Sequence, residues 1–363
     1  MENNLALIAL ESYSKQANRI NQLLCEWYNA DNFLVSARCP RFASGEAKCV
    51  IDESIRNKDV FIFVDVCNNS LKYKMDGELN RMSPDDHYQD LKRAILACSG
   101  VAQRITVIMP FMYEGRQHRK TARESLDCAM MLKELEFMGV DSLVTFDAHD
   151  PRIQNVTPLK ALSNISPALQ FTQALLTEYE DIKIDPDHLM FVAPDEGATE
   201  RVVFFASLFG VNIGMFFKRR DYAHIVDGTN PIIAHDFCGG SLEGMDAIVV
   251  DDMIASGGSI IDVCKQLRDR GVKRIFIFST FGLFSSGFSK IDKAYEEGLF
   301  DRIFTTNLVY QKPELLEKEY YYSVNMNRYI AAIIDTIHKH NSILNLLKPE
   351  ERIKQTIQNY VNS

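Results

Sequence analysis

Two adjacent carboxylates and a glycine-serine turn carry the clearest chemistry in this sequence. Asp251 and Asp252 end a short apolar run that predicts a buried strand. The turn that follows four residues later consists of Ser256, Gly257, Gly258 and Ser259. Because glycines let backbone N–H groups approach an anion and serine hydroxyls donate hydrogen bonds, this turn predicts a phosphate site. The two acids could hold sugar hydroxyls or a magnesium ion. The alternative is a serine-capped turn beside solvated carboxylates, but the strand before the motif and the helical pattern after it favour phosphate binding.

A basic segment follows another apolar run. After Gly115 come Arg116, Gln117, His118, Arg119 and Lys120. The guanidinium groups could clamp a polyphosphate in a bidentate manner. We expect this segment to lie at a strand-to-helix turn, where the helix dipole disfavours cations unless an anion binds. The alternative is a solvated basic turn, and the dipole argument favours the anion site.

Two further strand ends carry acids, one of them beside a histidine. His149 lies between Asp147 and Asp150, and Asp195 precedes Gly197 at a predicted helix start. A histidine between acids can be a metal ligand or a transition-state donor. Asp195 suits a magnesium site built from oxygen ligands. The alternatives are a structural histidine and an aspartate that only caps a helix.

Lys218, Arg219 and Arg220 form a dense basic run after a strand that we expect to end at Phe217. The run opens a polar stretch that could cover phosphates and exclude water when it closes. The alternative is an exposed charged loop.

Strand and helix patterns alternate through most of the chain. Continuous runs rich in Val, Ile and Phe favour a parallel sheet covered on both faces, and ligands of such sheets collect at the carboxyl ends of the strands. The predicted strands are 59–65, 104–110, 142–147, 188–193, 212–217, 246–250 and 274–279. One predicted helix ends at Gly139 and carries an apolar stripe of Leu126, Met130, Leu132, Leu135 and Met138. A second ends at Gly271 and carries Ile260, Ile261, Cys264 and Leu267.

Three segments interrupt this alternation. Residues 153–186 contain three prolines and an apparent helix over 168–179, and we place the boundary between two similar α/β domains there. Residues 68–86 are predicted to be an irregular excursion. The chain from residue 347 onwards is predicted to be a charged amphipathic helix.

The composition is that of a globular protein large enough for two domains. The chain has 363 residues, 46% of them hydrophobic and 25% charged, and a net charge of −9. That charge argues against a nucleic-acid partner held by a broad positive surface. No apolar run reaches the roughly 20 residues of a membrane span, and the first residues do not predict a signal peptide. The eight cysteines form no C-x-x-C pair, which disfavours zinc and disulfides and predicts a reducing, cytoplasmic location.

Taken in order, these segments resemble the ribose-phosphate pyrophosphokinase family, the phosphoribosyl pyrophosphate synthases. The similarity covers roughly residues 42–342 and rests on six elements, which together indicate homology where one alone would not. They are Phe42-Ala-Ser-Gly45-Glu46, Tyr113-Glu-Gly-Arg116-Gln117-His-Arg119-Lys120, Phe146-Asp147-Ala-His149, Pro194-Asp195-Glu-Gly197, Lys218-Arg219-Arg220, and the stretch from Val249 to Ser259.

The resemblance implies a role for each element. On the ATP side it implies that adenine is held by Phe42 and Glu46 of a neighbouring subunit, and that ATP is bound by Arg116, Gln117 and His149. It implies that magnesium is organised by His149 and Asp195, and that the catalytic residues are Lys218, Arg220 and His149. The implied ribose 5-phosphate loop comprises Asp251, Asp252, Ser256, Gly257, Gly258 and Ser259.

The sequence also departs from the family pattern. Ser44 and His118 stand where the family has aspartates, and Ala255 replaces a third acid of the sugar loop, whose two threonines are serines here. The N-terminal Gly-Asn/Thr-x-His element is not evident around residues 9–15. Because the missing carboxylate lies at the sugar end, the identity of the acceptor is less determined than the use of ATP.

We therefore predict an α/β protein with two phosphoribosyltransferase-like domains, each a mainly parallel sheet flanked by helices. Residues 1–165 would form the ATP side, residues 166–346 the ribose 5-phosphate side, and residues 347–363 a helical extension. The implied reaction moves the β,γ-diphosphoryl group of ATP to the anomeric hydroxyl of ribose 5-phosphate, with Mg²⁺, and yields phosphoribosyl pyrophosphate and AMP. The implied assembly is a cytoplasmic homo-oligomer, hexameric or dimer-based, with no nucleic-acid or membrane partner. The alternatives are a diphosphokinase with another ribosyl acceptor, a phosphoribosyltransferase, and a non-catalytic regulatory paralogue.

Overall fold

The chain folds into two compact units that are not contiguous in sequence. A computed structural model describes residues 4–158, 160–220 and 232–362, without the side chains of residues 218–220 and 232–235. The first unit comprises Met1–Pro167, Asn307–Tyr310 and Asn325–Lys348. The second comprises Ala168–Thr306, Gln311–Val324 and Pro349–Ser363.

The strands and helices alternate, as the sequence predicts. The strands are β1 (Leu5–Ala9), β2 (Ala37–Arg38), β3 (Val50–Ile51), β4 (Asp59–Phe63), β5 (Lys72–Met75), β6 (Glu78–Arg81), β7 (Arg104–Ile108), β8 (Ser142–Phe146), β9 (Ala161–Ile165), β10 (Leu189–Ala193), β11 (Asn212–Arg220), β12 (Ile232–Cys238), β13 (Asp246–Ile254), β14 (Arg274–Gly282), β15 (Arg302–Thr306) and β16 (Tyr321–Val324).

The α-helices are α1 (Ser14–Tyr28), α2 (Pro84–Cys98), α3 (Asp127–Phe137), α4 (Ala168–Glu178), α5 (Thr199–Phe209), α6 (Gly258–Asp269), α7 (Ser289–Glu296), α8 (Pro313–Leu316), α9 (Asn327–His338), α10 (Leu344–Leu347) and α11 (Glu350–Val361). Short 3₁₀ helices cover Glu11–Tyr13, Pro151–Val156 and Glu196–Ala198. No described helix has the length and apolar character needed to cross a membrane.

The first unit contains a five-stranded parallel sheet in the order β1-β4-β7-β8-β9. After β1 the chain passes through α1 to the outer edge of the sheet, where Leu34 forms a parallel bridge with Leu7. After β4 the connections run the other way along the sheet. The direction of winding therefore reverses between β1 and β4, and ligands of open α/β sheets bind at such a switch point.

The second unit contains a seven-stranded sheet in the order β12-β11-β10-β13-β14-β15-β16. All of its strand pairs are parallel except β11 with β12. From β10 the chain moves through α5 to β11 on one side, and from β13 it moves through α6 to β14 on the other. The switch point of this sheet consequently lies between β10 and β13.

Helices cover both faces of each sheet, which explains why the strands read as continuous apolar runs. In the first unit, α2 and α3 pack on one face, whereas Tyr13 at the start of α1 stacks on Phe63 at 5.7 Å. In the second unit, α6 and α7 cover one face. On the opposite face, Phe171 of α4 and Phe205 of α5 both lie against Phe278 of β14.

The two units repeat one ion pair at the amino edge of their sheets. Asp59 and Arg104 begin β4 and β7 and lie in register, with Arg104 Nε donating to Asp59 Oδ1 at 2.8 Å. Asp246 and Arg274 begin β13 and β14 in the same register, with Arg274 Nε donating to Asp246 Oδ1 at 2.9 Å. This repetition makes β4 equivalent to β13 and β7 equivalent to β14.

The predicted elements compare well with the observed ones. All seven predicted strands are present, the helices predicted to end at Gly139 and Gly271 are α3 and α6, the apparent helix over 168–179 is α4, α11 lies in the predicted C-terminal helix, and the α/β class is confirmed. Gly139 and Gly271 lie just beyond the ends of α3 and α6 with φ of 87° and 81°, as expected of C-terminal glycines. The functional division into an ATP side and a ribose 5-phosphate side stays a prediction.

Two expectations about these elements are wrong. Met130 is not part of the buried stripe of α3, because it is 67% exposed and the buried positions include Cys128 and Met131. Residues 68–86 are not irregular, because they contain the antiparallel hairpin β5–β6, which turns at Asp76 and Gly77, both at positive φ.

Candidate functional site

The sequence suggested that Asp251 and Asp252 follow a strand. In the structure both acids lie inside β13. β13 pairs with β10 only as far as Val249, whereas its pairing with β14 continues to Ile254. The strand thus extends past the end of β10, and the two acids stand on the part that has lost this neighbour. They therefore occupy the carboxyl edge of the sheet at its switch point.

Three carboxylates crowd together at this edge. Burial, followed by the charges of Asp252 and Asp195, raises the pKa of Asp251 well above the usual range of a carboxyl group. Asp252 is 5% exposed, and its backbone N–H donates to Asp251 Oδ1 at 2.9 Å. Arg201 Nη2 lies 4.0 Å from Asp252 Oδ2. This concentration of negative charge favours a metal cation or the hydroxyl donors of a sugar.

Asp195 has the capping role that the sequence offered as one alternative, and its role as a magnesium ligand stays a prediction. Its side chain caps the 3₁₀ helix after β10, where Oδ1 accepts the N–H of Gly197 at 3.0 Å. It also contributes to the electrostatic field at Asp251. The cap restricts the Asp195 side chain near the end of β10.

The turn from Ser256 to Ser259 forms the start of α6, as predicted. Gly257 is the N-cap residue with φ of 82°, and a Cβ there would lie 2.9 Å from Ile291 Cδ1. The first helical bond in this turn joins Ile261 N–H to Gly257 O at 3.1 Å. The preceding amides of the turn therefore have no helical carbonyl partner, and Ser256 and Ser259 are exposed beside them. The turn can present N–H and O–H donors to an anion, and its binding of phosphate stays a prediction.

The basic run at Lys218 does not open a loop in the described backbone. Lys218, Arg219 and Arg220 are the last residues of β11, and Lys218 pairs with His235 of β12. The expectation that the strand ends at Phe217 is wrong, because the antiparallel partner β12 extends it. The side chains of Lys218 and Arg220 lie outside the described part of the chain, so their catalytic roles stay predictions.

In the first unit, the Arg116 segment does not open a helix either. α3 begins only at Asp127. Gln117 Nε2 donates a hydrogen bond to Ser125 O, just before this helix, at 3.3 Å. The helix-dipole argument for an anion at these cations therefore does not apply. Arg116 is exposed and Gln117 is partly buried, so both remain available to a nucleotide.

The structure brings this segment together with His149. The rings of His118 and His149 lie 5.4 Å apart, and His118 Nε2 is 3.3 Å from Asp150 Oδ2. Asp150 also binds Arg152, which is the largest cause of lowering its pKa to about 2. No sequence pattern predicts a role for His118 or Asp150. The departure from the family aspartate marks His118 in the sequence, but no sequence signal marks its contact with Asp150.

The position of His149 depends on an unusual backbone conformation. Asp147 has φ of 39°, in the left-handed region that few residues other than glycine adopt. Asp147 N–H donates to Ile165 O at 3.0 Å, and Ala148 N–H donates to Asn164 Oδ1 at 2.9 Å. These bonds to β9 hold the loop and leave His149 exposed.

Phe42 and Glu46 lie together at the tip of the hairpin that contains β2 and β3. Phe42 N–H donates to Glu46 O at 2.7 Å, and Ser44 Oγ donates to Glu46 Oε2 at 3.0 Å. Ser44, which replaces a family aspartate, thus positions Glu46. The Phe42 ring is 55% exposed and is therefore accessible to an aromatic partner.

The described residues contain no group of three or more His, Cys, Asp or Glu side chains that could enclose a metal ion by themselves. Mg²⁺ is commonly held by one or two carboxylates together with water and substrate phosphates. The crowded oxygen donors at Asp195, Asp251 and Asp252 suit that kind of site.

Comparisons with known proteins agree with these features. A family model described as the N-terminal domain of ribose phosphate pyrophosphokinase matches residues 5–139. The ribose-phosphate pyrophosphokinase of Mycoplasma pneumoniae is 30% identical over 275 residues, which are 74% of this chain and 75% of that protein. The chain belongs to the ribose-phosphate pyrophosphokinase family.

Other relatives extend this assignment over more of the chain. A second family model, the phosphoribosyl synthetase-associated domain, matches residues 231–348. The ribose-phosphate pyrophosphokinase of Vibrio parahaemolyticus is 28% identical and covers 86% of this chain and 92% of its own. The phosphoribosylpyrophosphate synthetase structure from Mycobacterium smegmatis superimposes with a TM-score of 0.75 at 22% identity, covering 93% of this chain and 100% of that one. At this identity the structural likeness supports the fold alone.

The family predicted from the six motifs is confirmed, and the predicted activity is the one that these ribose-phosphate pyrophosphokinases are named for. The roles of individual side chains stay predictions, because similarity of whole chains does not test single residues.

Proposed function

We propose that the protein is a ribose-phosphate pyrophosphokinase that transfers the β,γ-diphosphoryl group of ATP to the anomeric hydroxyl of ribose 5-phosphate. The products are phosphoribosyl pyrophosphate and AMP. The observation that carries the proposal is the crowding of Asp195, Asp251 and Asp252 next to the N-terminal turn of α6. Hydroxyl-binding acids and a phosphate-binding turn are the two features that a sugar phosphate requires.

Ribose 5-phosphate would bind at this edge of the second unit. Its phosphate would accept hydrogen bonds from the amides of Gly258 and Ser259 and from the hydroxyls of Ser256 and Ser259. Its ring hydroxyls would donate to the carboxylates of Asp251 and Asp252. Hydroxyl donors stabilise the ionised carboxylates, so sugar binding would relieve part of the crowding that the free protein carries.

ATP would bind through residues of the first unit. Arg116 and Gln117 would hold its phosphates, His149 would contact the transferred group, and the exposed Phe42 ring with Glu46 of a neighbouring subunit would hold adenine. Sharing a site between chains requires a homo-oligomer, for which a hexamer or a dimer-based assembly is the family expectation. Because both substrates are intracellular metabolites, we expect the enzyme to act in the cytoplasm.

Catalysis would depend on positioning and charge, without a covalent intermediate. The anomeric oxygen attacks the β-phosphorus, the bond from that phosphorus to the AMP oxygen breaks, and the hydroxyl proton leaves to solvent or a nearby base. Negative charge grows on the phosphoryl oxygens and on AMP, where Lys218 and Arg220 would stabilise it. Such cations contribute on the order of 10³-fold in other phosphoryl transfers.

Magnesium fits the donors of this chain. Asp195 and Asp251 offer hard oxygen ligands whose mutual repulsion a divalent cation would relieve, and His149 would lie near the ATP phosphates. When bound, Mg²⁺ would neutralise charge on the transferred phosphates.

Acceptor-dependent formation of AMP tests this function. Purified protein with Mg²⁺ and ATP should release AMP when ribose 5-phosphate is added, as measured by chromatography of the nucleotides. The paired substitution Asp251→Asn and Asp252→Asn should raise the KM for ribose 5-phosphate about tenfold or more and raise the KM for ATP by less, since both acids lose sugar contacts whereas only Asp251 lies beside the proposed metal. An equal AMP yield without any acceptor would contradict the proposal.

Lys218, near the end of β11, provides an independent test. Lys218→Ala should lower kcat on the order of 10³-fold while the thermal unfolding midpoint stays the same, because a transition-state charge is removed. Lys183→Ala, an exposed lysine of the same unit, serves as the control and should leave kcat unchanged. Turnover like that of the wild type in Lys218→Ala would remove Lys218 from the mechanism.

Ala255 makes the acceptor worth varying. It stands where the family has a third acid, and its carbonyl accepts the N–H of Ser285 at 2.8 Å. A panel of ribosyl acceptors in the AMP assay should rank ribose 5-phosphate first. A higher kcat/KM for another ribosyl compound would identify a diphosphokinase of different specificity.

A further inference from the structure

A large polar cavity in the first unit is not used by the proposed reaction. Its volume is about 400 Å³, which is enough for a sugar phosphate or a nucleotide. Its wall is formed by the end of β1 with the residues that follow it up to residue 14, and by the hairpin strand that contains β2. The rest of the wall comes from β5 with its flanking residues and from α2. The charged and histidine side chains that line it are Glu11, Arg38, Arg41, Lys72, His87 and Asp90.

The internal repeat explains why a cavity lies there. Leu5 of β1 pairs with Asp59 of β4, and Leu189 of β10 pairs with Asp246 of β13, in the same register. Because Asp59 and Asp246 begin equivalent strands, β1 is equivalent to β10, and the switch point of the first sheet corresponds to that of the second. The cavity opens at the carboxyl end of β1, on this switch point.

The same register makes Glu11 the counterpart of Asp195. Each follows the last residue of its strand by two positions, after Ala9 in β1 and after Ala193 in β10. Each is also followed by the same elements, because a 3₁₀ helix and then an α-helix come next in both units. A carboxylate that lines the cavity thus stands where the second unit places an acid of its proposed sugar-phosphate site.

The cavity also contains cations that an anion could use. Arg41 is nearly buried and binds Asp90 at 2.8 Å, and Arg93 binds the other oxygen of Asp90 at 2.6 Å. Arg93 does not line the cavity, but the lining cations Arg38, Arg41 and Lys72 outnumber the lining carboxylates of Glu11 and Asp90. The Lys72 ammonium has no ion-pair partner among the described residues, and Arg38 lies nearby with a single exposed partner, Asp52, at 3.2 Å.

An aromatic wall completes the cavity. The Arg41 guanidinium lies 4.6 Å from the centre of the Tyr73 ring, which fixes both side chains. Tyr73 belongs to the hairpin β5–β6, which the sequence analysis could only describe as an excursion. The hairpin therefore has a function in forming this wall.

We propose that this cavity is a second ligand site that binds a phosphate ester with free hydroxyl groups, such as a sugar phosphate or a nucleoside monophosphate. The phosphate binds Lys72, Arg38 and Arg41, and a hydroxyl of the ligand donates to the Glu11 carboxylate. The site lies within one unit and is separate from the residues assigned to catalysis. Its existence does not depend on the activity proposed above.

Binding to a variant with a disabled sugar site tests the proposal. In the background of Asp251→Asn and Asp252→Asn, titration calorimetry with ribose 5-phosphate, with AMP and with inorganic phosphate separates the possible ligands. We expect at least one of the two esters to bind with a Kd below about 1 mM and inorganic phosphate to bind more weakly. Absence of ester binding up to about 10 mM would overturn the proposal, and so would phosphate that binds as tightly as both esters.

Charge reversal at Lys72 locates the binding. In that background, Lys72→Glu should weaken ester binding about tenfold or more, because a phosphate contact becomes repulsive. Lys74→Glu, on the same strand but not in the cavity wall, is the matched control and should leave the Kd unchanged. Equal effects of the two substitutions would show that the ester binds elsewhere and would contradict the proposal.

The isosteric change Glu11→Gln tests the hydroxyl contact. It should weaken binding of the ester about threefold or more and leave binding of inorganic phosphate unchanged, because only the ester has a hydroxyl to donate. Unfolding midpoints of all variants establish that they fold. Should Glu11→Gln leave ester binding unchanged, the assigned orientation of the ligand would be wrong.

Discussion

Asp251 illustrates how burial and neighbouring charge act on a single carboxyl group. Burial, Asp252 and Asp195 all disfavour its ionised form in the folded protein, and they raise its pKa. The folded protein therefore retains this proton to a higher pH than the unfolded chain does. Between the two pKa values the folded state binds more protons, so stability falls as the pH rises.

Substitution Asp251→Asn should remove this pH dependence. The variant should match the wild type at about pH 2, where Asp251 is protonated in both states, and become the more stable of the two as the pH rises through and beyond the unfolded pKa of about 3.9. Urea unfolding in the absence of Mg²⁺ and substrates, repeated from acid to neutral pH, measures the difference. A constant difference across that range would show that Asp251 is not destabilised by its neighbours.

At the residue scale, the sequence located several polar groups but not their partners. Asp195, Asp251 and Asp252 could be found because each follows an apolar run, and the sheet edge brings them together as expected. The contact between His118 and Asp150 could not be found, because it joins two loops whose proximity depends on the order of β7 and β8 in the sheet.

At the element scale, the unit formed by β13, the glycine turn and α6 determines the proposed phosphate site. The backbone of Gly257 has φ of 82°, which L-residues with a side chain adopt at a cost of about 1–2 kcal/mol. A Cβ at this position would also meet Ile291. The turn can retain its shape only with glycine.

Gly257→Ala should therefore affect both stability and sugar binding. We expect a loss of about 1–2 kcal/mol in the free energy of unfolding and a higher KM for ribose 5-phosphate, because the amides of the turn move. Gly298→Ala is the control: its φ is 70°, nothing lies within 4 Å of its added Cβ, and it is remote in sequence from the turn. It should lose similar stability with an unchanged KM, and a KM that rises equally in both variants would contradict the assigned turn.

The elements also show where the pattern of apolar residues is insufficient to predict the ends or the presence of strands. Apolar runs predicted the start of β11 and β13 but ended both too early, because pairing with β12 and β14 continues through polar residues. The hairpin β5–β6 escaped prediction for a related reason. Its strands have four residues each, and the alternation of Tyr73 and Met75 with lysines in β5 is too short to mark a strand, so the turn at Asp76 and Gly77 sets their pairing.

At the scale of the whole molecule, each unit is assembled from separate parts of the chain. The segment Asn307–Tyr310 belongs to the first unit although β15 and β16, on either side of it, belong to the second. It is anchored by Tyr310 N–H, which donates to Asp65 Oδ2 at 2.6 Å. Asp65 is fully buried, and burial raises its pKa to about 7. Sequence patterns could predict two α/β domains but not this exchange of segments.

The repeat between the units has a functional consequence. The same fold supplies one switch point with three crowded acids and a glycine turn, and another with a cavity lined by arginines, a lysine and Glu11. The family assignment concerns the reaction. The second cavity is where we propose that the chain binds a further ligand.

Phosphorus NMR of the purified protein with ATP, Mg²⁺ and ribose 5-phosphate tests the central assignment most directly, because it shows which bond of ATP is broken. We predict that the ATP signals are replaced by those of AMP and of an intact diphosphoryl group on the anomeric carbon, only when the sugar phosphate is present. Formation of ADP with a phosphorylated sugar, release of free pyrophosphate or phosphate, or unchanged ATP would contradict it.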